Sequence, residues 1–91
     1  MRSVETHGKF KKDYRRCVKR GLDISKLSDV VTLLLNDQPL PERCRPHKLV
    51  GGWEGYWECH ISPDWLLIYD LDDEGQTLGL IRTGTHADLF K

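Results

Sequence analysis

Tyr56-Trp57-Glu58-Cys59-His60-Ile61-Ser62-Pro63-Asp64-Trp65-Leu66-Leu67-Ile68-Tyr69-Asp70-Leu71 is the stretch on which the fold turns. From Tyr56 to Ile61 the residues alternate. Trp57, Cys59 and Ile61 face one way and Tyr56, Glu58 and His60 the other, the period of a strand with two different faces. Ser62-Pro63-Asp64-Trp65 fits a type I turn, because proline presets φ at the second position and Ser and Asp suit the first and third. Trp65 to Leu71 is then nearly all apolar, as a central strand covered on both faces would be. Strands joined by so short a turn pair antiparallel.

Downstream, Asp72 to Gly75 reads as a charged turn and Thr77 to Thr83 as a last strand. Thr85 is placed to cap one final helical turn ending at Phe90. Upstream, Lys48 to Val50 is a short strand leading into a Gly51-Gly52 turn. Gln38 to Pro46, with Pro39, Pro41 and Pro46, is an extended loop whose Arg43 and Arg45 either touch phosphate or are simply solvated.

Two amphipathic helices precede that loop. In His7–Arg20 the apolar positions Phe10, Tyr14, Cys17 and Val18 recur at helical spacing, opposite Lys9, Lys12, Arg16, Lys19 and Arg20. Gly21 supplies the stop. The second helix starts after Asp23 or Ser25 and carries the stripe Leu27, Val30, Val31, Leu34 and Leu35. Asn36 and Asp37 end it. Met1 to Glu5 is a candidate edge strand. The expected architecture is α+β, with a helical hairpin resting on a mainly antiparallel sheet.

The 91 residues suit a single domain, residues 1–91. A chain of that length buries only ~60% of the surface its unfolded state exposes, so a permanent partner would help to stabilise it. No apolar run opens the chain, and the longest apolar stretch, Trp65–Tyr69, is far below the ~20 residues that span a bilayer. A cytoplasmic protein without membrane contact is expected. Cys17, Cys44 and Cys59 form no C-x-x-C pair, and an odd count fits free thiols in a reducing compartment. Net charge is zero but divided: residues 1–50 hold twelve Lys/Arg against six Asp/Glu, and residues 51–91 two against eight. The basic half is either a solvated surface or a flank that attracts phosphate.

An antiparallel meander of the last four strands brings His47, His60, Asp64, Arg82 and His86 toward one edge of the sheet. Each has an ordinary explanation: a surface histidine, a turn aspartate, a structural arginine. Trp65 and Phe90 are more often packing residues than stacking platforms. Convergence of three of four histidines with a carboxylate and a guanidinium is less ordinary. Two imidazoles can hold opposite protonation states near neutral pH, which is what RNA cleavage asks of a base and an acid. Arginine suits the charge that gathers on a phosphate in flight. The same side chains could instead be read as a metal site, but no H-x-x-x-H spacing supports it, and no metal or cofactor is expected. Gly51-Gly52 lacks the following helix and lysine of a phosphate loop.

At these residues the chain resembles a known family. The runs His47-Lys48-Leu49-Val50-Gly51-Gly52-Trp53-Glu54-Gly55-Tyr56, Glu58 to Tyr69, and Arg82-Thr83-Gly84-Thr85-His86-Ala87-Asp88-Leu89-Phe90 are similar to the YafQ branch of the RelE-type toxins. The likeness extends over nearly the whole chain, and the ordered pattern H…PDW…LIY…RTGTHA-x-LF is more specific than any single part. It implies a RelE-like β-α-α-β-β-β-β fold with a short C-terminal helix. The implied activity is that of a type II toxin: an endoribonuclease that cuts messenger RNA in the ribosomal A site. Implied partners are a cognate DinJ-type antitoxin, the ribosome and mRNA, with operator DNA reached only through the antitoxin complex. The catalytic positions of the family fall on His47, His60, Asp64 and His86, with His86 as general acid. Arg82, Trp65, Phe90 and Lys48 fall on substrate-binding or supporting positions. Such toxins are usually basic, whereas this chain is neutral, so its basic first half would have to compensate. A non-catalytic toxin of the ParE type, docking on a protein target, is the second reading. The imidazole cluster separates the two, because a docking surface has no use for it.

Overall fold

The computed structural model describes residues 1–74 and 76–90. Gly75, the end of the turn expected at Asp72–Gly75, lies outside the described residues. Chain order is β1 (Ser3–Thr6), α1 (Gly8–Lys19), α2 (Ile24–Leu35), β2 (His47–Lys48), β3 (Trp57–Ser62), β4 (Trp65–Asp72), β5 (Thr77–Gly84) and α3 (His86–Leu89). Short 3-10 turns at Glu42–Cys44 and Gly51–Trp53 lie within the long loop and before β3.

The Tyr56–Leu71 hairpin forms as its pattern requires: β3 and β4 are antiparallel, with Cys59 opposite Leu67 and His60 opposite Leu66. β5 returns antiparallel to β4, and β2 antiparallel to β3. β1 lies on the far side of β5 and runs parallel to it, giving the order β1-β5-β4-β3-β2. The sheet is therefore antiparallel except at one edge. Arg2 fastens that edge: its guanidinium pairs with Asp37 after α2 and with Asp73 in the β4–β5 turn.

β4 is covered on both faces because its residues serve two cores. Trp65, Leu67 and Tyr69 join Phe10, Cys17, Leu27, Val30 and Leu34 of the helices. Leu66 and Ile68 pack with Ile81 and Leu89 on the other side, where Leu49, Trp53 and Tyr56 close over them. α2 begins at Asp23, whose carboxylate accepts from the Ser25 N–H at 3.1 Å. Its buried stripe is Leu27, Val30 and Leu34, with Val31 and Leu35 partly covered.

Two expectations need correction. In α1 the inward face is Phe10, Asp13 and Cys17, while Tyr14 and Val18 are 37% and 50% exposed. The apolar stripe is narrower than drawn because a charged residue sits within it. The strand expected at Lys48–Val50 pairs at His47–Lys48 instead, and Val50 is left exposed. The 3-10 turn at Gly51–Trp53 takes the chain away from β3, so the ladder there is only two residues long.

Candidate active site

His86 and Asp64 meet although β5 and the whole of β4 separate them in sequence. The Ser62–Trp65 turn presents Asp64 at the end of β3, and α3, following β5, presents His86 at the same end. Asp64 Oδ1 lies 3.1 Å from His86 Nδ1 and 3.4 Å from the His86 backbone N–H. A carboxylate only accepts, so Nδ1 carries the hydrogen and Nε2 is left to exchange a proton with a substrate. The hydrogen bonds from the His86 ring and then its backbone hold the Asp64 carboxyl below the usual carboxylate range. The His60 ring lies beside that of His86, centroids 6.1 Å apart, and Phe90 flanks the other side at 6.3 Å. Among the described residues the His60 ring makes no hydrogen bond, so both its nitrogens are available.

α3 is short, and its placement is over-determined. Thr85 and Asp88 form a reciprocal capping box. Asp88 also accepts from Arg20 at 2.6 and 3.1 Å, which ties α3 to the end of α1. A side chain at position 84 would bring its Cβ within 2.9 Å of Asp88 Oδ2, so the glycine in Arg82-Thr83-Gly84-Thr85-His86 is what lets the cap close. Arg20 first, then the Thr85 donors, keep the Asp88 carboxyl well below its ordinary value. A depressed carboxyl stabilises the fold above its unfolded pKa, and that stability is lost as pH falls through the folded value. Asp88→Asn should therefore cost about 1 kcal/mol in urea unfolding at pH 7, with the gap to wild type narrowing below about pH 4. An equal gap at both pH values would contradict this origin.

His47 stands one strand over. The β2–β3 register sets it opposite Glu58 rather than His60. The Arg45 carbonyl accepts from its Nδ1 at 2.9 Å, and its Nε2 faces the buried Glu58 carboxylate at 3.4 Å. Glu58 was not among the residues singled out from the sequence, although the alternation already placed it on the face of His60. Among the described residues, no group of three or more His, Cys, Asp and Glu is arranged to hold a metal ion.

The remaining positions divide. Arg43 and Arg45 from the long loop join Lys26 of α2 around His60, Ser62 and Pro63, enclosing a cleft of about 380 Å³ beside the histidines. Arg82 is engaged by α1: its Nε and Nη2 donate to Asp13 at 2.6 and 3.1 Å. That bond raises its pKa further. Trp65 is buried, and its indole N–H donates to Thr83 Oγ1 at 2.9 Å, so it braces the turn carrying Asp64 from within the core. Phe90 is 39% exposed and open to a ligand. Lys48 lies opposite Trp57, on the other face of the sheet from Glu58 and His60, with its amine 5.6 Å from the Trp57 ring. Asp13 also escaped the sequence reading; the signal was a lone acid spaced at i+3 from Phe10 and i−4 from Cys17.

Comparison with known proteins places this geometry in context. A family model described as bacterial toxin of type II toxin-antitoxin system, YafQ, matches residues 2–91. The mRNA interferase toxin YafQ of Escherichia coli strain K12 is 46% identical over 91 residues, covering 99% of this chain and 97% of that protein. The crystal structure of YafQ from E. coli strain BL21(DE3) matches with a TM-score of 0.92 at 43% identity, covering 100% of both chains. A chain of the E. coli DinJ–YafQ toxin–antitoxin complex matches with a TM-score of 0.90 at 45% identity, covering 99% of this chain and 98% of that one.

Proposed function

The chain belongs to the YafQ family of bacterial toxins from type II toxin–antitoxin systems, and from that premise we propose that it is an mRNA interferase, cutting messenger RNA in the ribosomal A site without a metal. The observation that carries the reading is the pair of imidazoles, His60 and His86, 6.1 Å apart, with Asp64 on one of them. A phosphodiester between two such rings meets a base on one side and an acid on the other.

His60, free of internal hydrogen bonds, takes the proton of the 2′-hydroxyl. That oxygen bonds to the adjacent phosphorus, and the bond from phosphorus to the 5′ oxygen breaks. His86 gives the leaving 5′ oxygen a proton from Nε2, while Asp64 keeps the ring in the required tautomer. A 2′,3′-cyclic phosphate and a 5′-hydroxyl result. His47, held between Arg45 and Glu58, adds positive charge beside the phosphate when its ring is protonated. Lys26, Arg43 and Arg45 draw the RNA backbone toward His60, and they supply the local basicity that a neutral chain needs. Phe90 stacks a base next to the scissile bond, and Trp65 holds the turn rigid. Lys48 stands off the histidine face and adds attraction at longer range, while Arg82, on the histidine face by register, joins β5 to α1 through Asp13.

E. coli YafQ is solved in complex with DinJ, and a DinJ-type antitoxin is the partner proposed for this chain, with operator DNA reached only through that complex. Among the described residues no helix is long and apolar enough to cross a membrane.

The test is to map mRNA ends on ribosomes after brief expression of the toxin: cuts within the A-site codon are expected, with cyclic phosphate and 5′-hydroxyl ends. Cuts elsewhere, or 5′-phosphate ends, would refute the mechanism. Toxin stripped with EDTA and desalted before it meets ribosomes should keep its rate to within about twofold. A rate restored only by added zinc would move the chemistry to a metal centre.

A further inference from the structure

On the side of the molecule behind Phe90, a second cleft of about 420 Å³ opens between the start of α1 and the 3-10 turn before β3, lined by His7, Lys9, Trp53, Tyr56 and Arg82 among others. It is joined to the histidines by an unbroken line of rings. From His60 to His86 the centroid step is 6.1 Å, from His86 to Phe90 6.3 Å, from Phe90 to Trp53 5.9 Å, and from Trp53 to Tyr56 6.2 Å. The last two contacts are edge-to-face, the geometry in which aromatic rings also take up a further π system. Trp53 and Tyr56 are only partly buried, and Lys9 is exposed at the rim. Asp13 neutralises Arg82, so Lys9 is the main free cation of this cleft.

We infer that this cleft is a nucleotide subsite of the RNA chain, taking one base against Trp53 and Tyr56 and its phosphate against Lys9, beyond the nucleotide stacked on Phe90. The inference rests on the endoribonuclease reading and extends it to a substrate contact away from the scissile phosphate. Single-stranded RNA is held in this way, by unstacked bases on aromatic side chains with cations tracking the backbone. The cleft volume lies in the range of small-ligand sites. Among the described residues no acidic side chain lines it, so the cation at its rim meets no competing carboxylate there.

The experiment is a double-mutant cycle on ribosome-bound mRNA carrying an abasic residue at each position in turn within three nucleotides of the cut. At one position, on one side, wild type should lose about tenfold in kcat/KM when the base is missing. Trp53→Ala should lose about tenfold on intact mRNA, lose nothing further on the abasic substrate, and be largely rescued by Trp53→Phe. Lys9→Ala, at an exposed position, should lower the slope of log kcat/KM against log salt by about one. Multiplicative losses in the cycle at every position, or an unchanged salt slope for Lys9→Ala, would overturn the subsite. Weakened antitoxin binding by the same variants, with normal cycles, would assign the cleft to the protein partner and overturn it equally. A wild-type chain that cuts no mRNA would sink the endoribonuclease reading itself, a result distinct from normal cutting with indifferent cleft variants.

Discussion

Replacing His86 by alanine should abolish growth inhibition while leaving a folded protein that still binds its antitoxin. The side chain is 57% exposed and bonded to an Asp64 side chain that is 70% exposed, so little stability depends on it. Water screens so exposed a pair, and it adds little to stability. Removing the group that protonates the leaving oxygen costs far more on the reaction path, about 10²–10⁴-fold in rate. A toxin expressed at a level that just arrests growth would fall below threshold. The comparison needs equal expression, a melting curve and an antitoxin pull-down beside the growth assay. Undiminished toxicity would favour a toxin that acts by docking, because a docking face does not need an imidazole at this position.

The largest stability effect should come from Asp13, a residue with no part in the proton transfers. It is 3% exposed and accepts from four donors: Arg82 Nε and Nη2, Arg16 Nη2 at 2.8 Å, and the Thr83 backbone N–H at 3.2 Å. Asp13→Ala leaves the Arg82 guanidinium, 18% exposed, without its counter-charge and strands the Thr83 N–H inside. Breaking one side of a buried pair costs about 3–5 kcal/mol, a large part of the ~5–15 kcal/mol that holds a domain together. Urea unfolding should show a lower midpoint with an unchanged slope. The double variant Asp13→Ala/Arg82→Met should recover part of the loss, since removing both charges ends the imbalance. A single-variant loss under about 1 kcal/mol would show that water reaches the pair and screens it. Because Asp13 joins α1 to β5 next to α3, its loss should also blunt cleavage through misplacement of His86.

Local patterns carried much of the fold. The hairpin from Tyr56 to Leu71, the Asp23 cap and the Thr85 cap are decided within a few residues of chain, where turn chemistry and side-chain period act without help from distant contacts. The faces of β3 follow from alternation, so the shared side of Glu58 and His60 was readable even though Glu58 went unremarked. Register was less accessible. β2 ends after two residues because a 3-10 turn carries the chain off, and its pairing with β3 sets His47 opposite Glu58. The inward turn of Asp13 was visible only as an exception within an apolar stripe, and exceptions read as surface until a buried partner is known.

By itself the sequence determined the β3–β4 hairpin and its turn, the two faces of β3, the helix caps, and which side chains able to move protons lie toward one end of the sheet. Only the tertiary structure decided the pairings: Asp64 with His86 rather than with another histidine, Arg82 with Asp13 rather than with a phosphate, Trp65 in the core rather than on the open face. The reason is one of length scale. Periodicity and turn preference act over a few residues and choose a direction for a side chain. A hydrogen bond near 3 Å depends on registers and helix positions set by packing across the whole chain.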